Sequence, residues 1–333
     1  KPLKLHRPTH RHVLKLLRKH QYPMTSLIAK QCYLPQNSHV IKNNHGTAPG
    51  VLMNTSRQEK NIWILVLPGP PRELTPMFTV QALPLLRRLI KFPKEHFLIR
   101  SVKITGLVEA QVAQRVPCLL KLKPPLTVGI YARPDEVELK IMARHASKKK
   151  ATQETARIEK EIRKKFKDKV MGIDSETLSS VVGNLLRKNK KTLSTAESCT
   201  GGLLANRITQ TPGSSDYFLG GLVCYSNTIK TLMLGVPEAL IKKEGAISAH
   251  VALKLAENIR ARFETDYGIA ISGIAGPSGG TKKKPVGLVY IAIAAPGKNI
   301  CHECHFFGSR TEIQMHAANK ALDLLRLELL RLC

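Results

Sequence analysis

From Ser175 onward, apolar positions switch back and forth between helical and strand periods. Leu178, Val181, Val182, Leu185 and Leu186 form a helical stripe, and the short β-tolerant run Lys191-Thr192-Leu193-Ser194 then reads as a strand. It leads into Thr195-Ala196-Glu197-Ser198-Cys199-Thr200-Gly201-Gly202, after which Leu203-Leu204-Ala205-Asn206-Arg207-Ile208 resumes helical spacing. A second strand is predicted over Gly221-Leu222-Val223-Cys224-Tyr225, and a helix opened by Ser248 carries the stripe Val251, Leu255 and Ile259. The strand Tyr267 to Ser272 runs into the glycine-rich stretch Gly273 to Gly280. Two more strands, Gly287 to Ala294 and Ile300 to Phe307, precede a last helix from about Thr311. Such alternation predicts a three-layer α/β domain over residues 173–333.

Upstream the pattern differs. Residues 94–172 read as a small α+β unit: a strand from Phe97 to Ile104, a helix from Val108 to Val116, two strands around Arg133-Pro134-Asp135-Glu136, and a basic helix from Lys148 to Lys169. Residues 1–93 read as a partial α/β unit with a basic, helix-like start. There a buried strand, Trp63 to Leu67, is expected to lead through Pro68-Gly69-Pro70-Pro71 into a helix-like segment, Leu74 to Phe78.

A chain of 333 residues has room for these three regions, and with 43% hydrophobic and 23% charged residues it is globular rather than disordered. No apolar run is long enough to span a bilayer, and no membrane association is expected. The formal net charge of +29 favours anionic partners, yet the basic residues are scattered over the whole chain. Residues 94–172 lack a Gly-x-x-Gly loop and have few aromatics, so a solvated spacer is expected there rather than a nucleic-acid site. The seven cysteines are odd in number and irregularly spaced, which argues against a disulfide framework and for a reducing cytoplasm. Lys1 to Lys19 is basic and free of acids, as some transit peptides are, and Lys1 reads as an internal start. Cys301-His302-Glu303-Cys304-His305 invites a metal reading, but on a strand the two thiols would point to opposite faces, so no metal is expected.

Three polar groups fall at strand ends, the edge where open α/β sheets place ligands. The first is Ser198, with Thr200, Gly201 and Gly202; its hydroxyl is either a nucleophile at the strand-to-helix turn or a helix cap. The second is Tyr225, Asn227 and Lys230, in which a buried lysine could accept the serine proton while Tyr225 shares the proton path or orients the amine. The third is Ser272 with Gly273, Ala275 and Gly276, either a phosphate cradle or a tight connector; it lacks the Gly-Lys of a phosphate loop. Backbone N–H groups near Thr200, Gly201 and Gly202 are expected to stabilise an oxyanion.

In this order and spacing, Thr195 to Gly202, Tyr225-Ser226-Asn227 with Lys230, Ser272-Gly273-Ile274-Ala275-Gly276-Pro277, Pro285-Val286-Gly287 and Phe307-Gly308-Ser309-Arg310 resemble the CinA family. Its C-terminal domain is a nicotinamide-nucleotide amidohydrolase. The resemblance implies that Ser198 attacks the carboxamide of nicotinamide mononucleotide, with Lys230 as base and Tyr225 assisting. Thr200, Gly201, Gly202, Asn227, Ser272, Gly273, Ala275 and Gly276 would bind substrate, with no cofactor and no metal. A partial first domain would leave a sheet edge expected to pair or be covered, so a homo-oligomer, a dimer, is expected. Gly46-Thr47-Ala48-Pro49-Gly50 and Leu67-Pro68-Gly69-Pro70-Pro71 resemble the end of the family's molybdopterin-binding-like domain. The residues associated with its ADP-ribose pyrophosphatase activity are not found, so 1–93 is expected to be a remnant. A residual pyrophosphatase and a basic nucleic-acid-binding or scaffolding protein are the alternative readings.

Overall fold

The structure, a computed structural model, describes residues 1–57, 60–90, 95–133 and 135–332. Pro134 of the expected central turn, the expected boundary at 93/94, and Cys333 lie outside the described residues. The chain forms two compact units, Lys1–Lys94 and Glu95–Cys333. Among the described residues no helix is long and apolar enough to cross a membrane. The architecture is mixed α/β.

The first unit carries a helix, Arg7–Lys19, and an antiparallel sheet of His39–Ile41, Gly50–Arg57 and Lys60–Val66. The strand expected to be buried is covered on one face only. Trp63 and Leu65 pack against Met77 and Ala82, while Ile62, Ile64 and Val66 alternate onto the exposed face. The following helical run is longer than expected, extending from Pro71–Pro76 through Met77–Ala82 to Leu83–Leu89.

In the second unit, His96–Thr105, Leu126–Arg133, Glu136–His145 and Val170–Ile173 form a four-stranded antiparallel sheet. The basic helix Lys148–Phe166 lies on it through Ala151, Thr155, Ile158, Ile162 and Phe166, a stripe at three- and four-residue spacing that leaves most of its cations in solvent. It ends before Lys169, because Val170 starts the sheet's last strand.

The remaining residues build a second sheet, whose strands we label β1 (Leu193–Glu197), β2 (Phe218–Val223), β3 (Tyr267–Gly273), β4 (Leu288–Ala295) and β5 (Lys298–His305). The helices are α1 (Leu178–Lys188), α2 (Leu203–Thr209), α3 (Asn227–Leu234), α4 (Glu238–Glu244), α5 (Ala249–Arg262) and α6 (Arg310–Leu330). Strand order is β2-β1-β3-β4-β5, with β1 parallel to both its neighbours and β4 and β5 an antiparallel hairpin on the other side of β3. β1 begins two residues later than expected and is buried throughout.

Period-2 alternation sets the two outer layers. Ile269 and Ile271 of β3 and Val289, Ile291 and Ile293 of β4 face α1, α2 and α6. Ala270, Ala292 and Ala294 turn the other way, where these small side chains admit α5 through Val251, Leu255 and Ile259. Glu197 is level with Val223 on one side and Ile271 on the other. The parallel register therefore brings Ser198, the Cys224-Tyr225 segment and Ser272 out at one edge.

Candidate active site

Ser198 begins the turn after β1, and its backbone N–H donates to the Ile271 carbonyl at 2.9 Å, holding it against β3. The turn needs two residues in the left-handed region, Gly201 at φ 61° and Gly202 at φ 97°, which explains the paired glycines. Ser198 does not cap the helix. Gly202 occupies the cap position, and the buried Glu197 carboxylate accepts from the N–H groups of Gly202, Leu204 and Ala205 at 3.0, 3.0 and 2.7 Å. An anion thus satisfies the N-terminal donors of α2, leaving the serine hydroxyl for other work.

The expected oxyanion donors need correction. The Gly202 N–H is taken by Glu197, and the Gly201 N–H donates to the Ser198 carbonyl at 3.2 Å. Among the described residues, the N–H groups of Cys199 and Thr200 have no protein acceptor. Gln314 of α6 donates to the Cys199 carbonyl at 2.7 Å, fixing the peptide that joins these two residues.

Lys230 lies on α3, whose start is set by the Ser226 hydroxyl accepting from the Ile229 N–H at 3.2 Å. Its side chain turns inward and is 2% exposed. Its Nζ lies 3.2 Å from Ser198 Oγ and donates to the carbonyls of Cys224 and Tyr225 at 2.9 and 3.1 Å. Desolvation by burial pulls the amine below the ordinary lysine range. A neutral amine has two N–H donors and one lone pair. With two positions on the carbonyls, the third faces the serine hydroxyl, as an N–H donor when the amine is charged and as the lone pair when it is neutral.

Of the two expectations for Tyr225, the geometry fits the orienting one, and through the backbone rather than the ring. Its backbone carbonyl orients the amine, whereas its phenol oxygen accepts from Arg310 Nη2 at 2.8 Å. Arg310 also donates through Nη1 to the Gly276 carbonyl at 2.8 Å, bridging the glycine loop and the tyrosine. These groups surround a cavity of about 320 Å³ that Ser198, Tyr225, Asn227, Lys230, Ser272, Gly273, Ala275 and Gly276 line. Thr200, Gly201 and Gly202 lie outside its wall. The Ser272 hydroxyl donates to the Ala246 carbonyl at 2.9 Å, holding the Ala246-Ile247 segment as a further part of the wall. Among the described residues, Lys230 and Arg310 are its charged lining residues and no carboxylate lines it.

Two thiols beside Ser198 differ from it in character. Burial pushes the Cys199 thiol up to about 12 and raises the Cys224 thiol, so both remain protonated at neutral pH. On β5, Cys301 packs with the α5 core and Cys304 with the α6 core, the opposite-face placement expected from strand alternation.

Glu197, Arg310 and Gln314 also shape the candidate site, and motif spacing did not single them out. For Glu197, the signal is a carboxylate immediately before a serine turn and just ahead of a helix. Arg310 is the last residue of a motif quoted above, brought to the cavity by the start of α6.

Residues 175–329 match the model of the CinA C-terminal domain, and residues 99–172 that of the damage-inducible protein CinA KH domain. A CinA-like protein of Dictyoglomus thermophilum is 38% identical over 332 residues, covering 100% of this chain and 79% of that protein. A putative competence-damage inducible protein of Moorella thermoacetica is 44% identical over 303 residues, covering 91% of this chain and 72% of that protein. Among solved structures, the competence/damage inducible protein CihA from Agrobacterium tumefaciens is 38% identical with a TM-score of 0.45, covering 46% of this chain and 93% of that one.

Proposed function

The chain belongs to the CinA family, and from that premise we propose that it is an amidohydrolase converting nicotinamide mononucleotide and water into nicotinate mononucleotide and ammonia. One observation carries this reading: the buried Lys230 amine, held by two carbonyls, 3.2 Å from the Ser198 hydroxyl. That arrangement activates a serine without a histidine.

Lys230 takes the hydroxyl proton as Ser198 Oγ bonds to the carboxamide carbon, and the carbonyl π electrons move to oxygen. The N–H group of Cys199, a residue that lines the cavity, is the available donor for that oxyanion. As the tetrahedral adduct collapses, the C–N bond breaks and Lys230 returns the proton to the departing nitrogen, releasing ammonia. Water then adds to the acyl-serine with Lys230 again as base, and the acid leaves with the Ser198 hydroxyl restored. The pyridinium ring withdraws electrons from the carboxamide, so attack needs no further electrophile.

The cavity supports a nucleotide with an anionic tail, because Arg310 and the glycine loop lie in its wall and no carboxylate does. Six described cysteines are free thiols, which supports a reducing, cytoplasmic setting. The open β2 edge, with Leu219 and Val223 exposed, supports assembly into a homo-oligomer. The direct test is ammonia release from nicotinamide mononucleotide by the wild-type chain and by Ser198→Ala. Turnover by the wild type alone supports the reading, and equal turnover by the variant removes the nucleophile.

A further inference from the structure

Helix α6 meets the active site with one side and the preceding antiparallel sheet with another. Arg310 and Gln314, four residues apart, lie on one side, since four residues make little more than one helical turn. Arg310 reaches Tyr225 and Gly276, and Gln314 reaches the Cys199 carbonyl. Two residues past Gln314 the helix has turned to its opposite side. There His316 Nδ1 hydrogen-bonds Asp135, and the Asn319 amide donates to the other oxygen of the same carboxylate. Asp135 sits at the tip of the hairpin joining Leu126–Arg133 to Glu136–His145, with a left-handed backbone of φ 62°.

A second clamp lies further along the helix. Arg326, 2% exposed, pairs with Asp323 on α6 and donates to the carbonyls of Asp168 and Val170, which enter the last strand of that sheet. Arg326 fixes the far half of α6, and Asp135 fixes the half next to the chemistry.

We propose that Asp135 is a positioning residue for the amidase site, acting through α6 to hold Gln314 on the Cys199 carbonyl. The peptide after Cys199 is planar, so anchoring its carbonyl holds the Cys199 backbone and with it the aim of the Cys199 N–H, whose residue lines the cavity. This inference rests on the amidase reading for its substrate, while the physical link does not depend on which carbonyl compound is attacked. A link of this kind changes the transition state more than ground-state binding, because an oxyanion donor tightens as negative charge develops.

The test is a double-mutant cycle in the full chain with Asp135→Ala and Gln314→Ala. Each single variant is expected to lower kcat about tenfold, the scale of one hydrogen bond, with little change in KM for nicotinamide mononucleotide. The double variant is expected to be little worse than either single one, because both break the same link. Asp135→Asn keeps an oxygen for Asn319 and is expected to recover part of the loss. Unchanged kcat in Asp135→Ala, or losses that multiply in the double variant, overturns the proposal. Should Asp135→Ala not fold, Asn319→Ala replaces it in the same cycle. If the wild type releases no ammonia, the amidase reading fails separately, and the rate at which a fluorophosphonate labels Ser198 takes the place of kcat. Slowed labelling in the singles without further slowing in the double then supports the link, and equal labelling in all forms overturns it.

Discussion

The Nζ of Lys230 lies 3.2 Å from the Ser198 hydroxyl across 32 residues of sequence. Ser198→Ala is expected to abolish ammonia release, and Lys230→Met to lower kcat by about two to four orders of magnitude, the range for a positioned acid-base group. Lys230→Arg is expected to fail almost as completely, because a guanidinium stays protonated and offers no lone pair. A coupled assay for ammonia on the three purified variants measures this.

The pH profile has a definite sign. Lys230 must be neutral to accept the serine proton, and burial lowers its pKa below the 10.5 of an ordinary lysine. Activity is therefore expected to fall as pH drops through that lowered value and to level off above it. An acidic limb of kcat/KM with its midpoint below 10.5 is the expected outcome. A limb at or above 10.5 would contradict a desolvated base.

Arg310 is expected to act on binding through the substrate's anionic tail. Arg310→Ala should raise KM for nicotinamide mononucleotide about tenfold to a hundredfold, the scale of a charge-assisted hydrogen bond. The corresponding nucleoside, which lacks the phosphate, should lose much less. Equal losses for both compounds would assign Arg310 to holding Tyr225 and Gly276 rather than to the phosphate.

Glu197 is expected to govern stability. In Glu197→Gln, an NH₂ replaces one of two oxygens that now serve three N–H donors, so at least one donor meets another donor. A loss of about 2–3 kcal/mol is expected, read from urea unfolding.

Cys199 should be dispensable for chemistry, since its thiol is pushed up to about 12. Cys199→Ala is expected to keep turnover within about threefold at a cost of roughly 1 kcal/mol in stability. Iodoacetamide at neutral pH should label the exposed Cys118 without inactivating the enzyme.

Ser198, Lys230 and the Gly273 to Gly276 loop are legible in the sequence because each follows a strand, and parallel pairing brings such ends to one edge. The roles of Gly201 and Gly202 are misread for a specific reason. A glycine pair required for positive φ looks the same in sequence as one that offers its N–H to a ligand. For Tyr225 the orienting role is legible but not the atom that plays it, since a backbone carbonyl leaves no mark on residue type, and its phenol goes to an arginine 85 residues later. Strand bounds shift where tertiary pairing outweighs local preference. β1 extends to Glu197 because neighbours on both sides complete its hydrogen bonds. In the first unit, Ile64 and Val66 read as core, but the sheet there is covered on one face.

The two carbonyls that grip the Lys230 amine belong to Cys224 and Tyr225, on the same short piece of chain as the lysine itself. Cys224 is in turn tied to β1, its N–H donating to the Glu197 carbonyl at 2.8 Å. The strand that delivers Ser198 thus also anchors the grip on the amine, so strand pairing rather than helix packing fixes the spacing of the two groups.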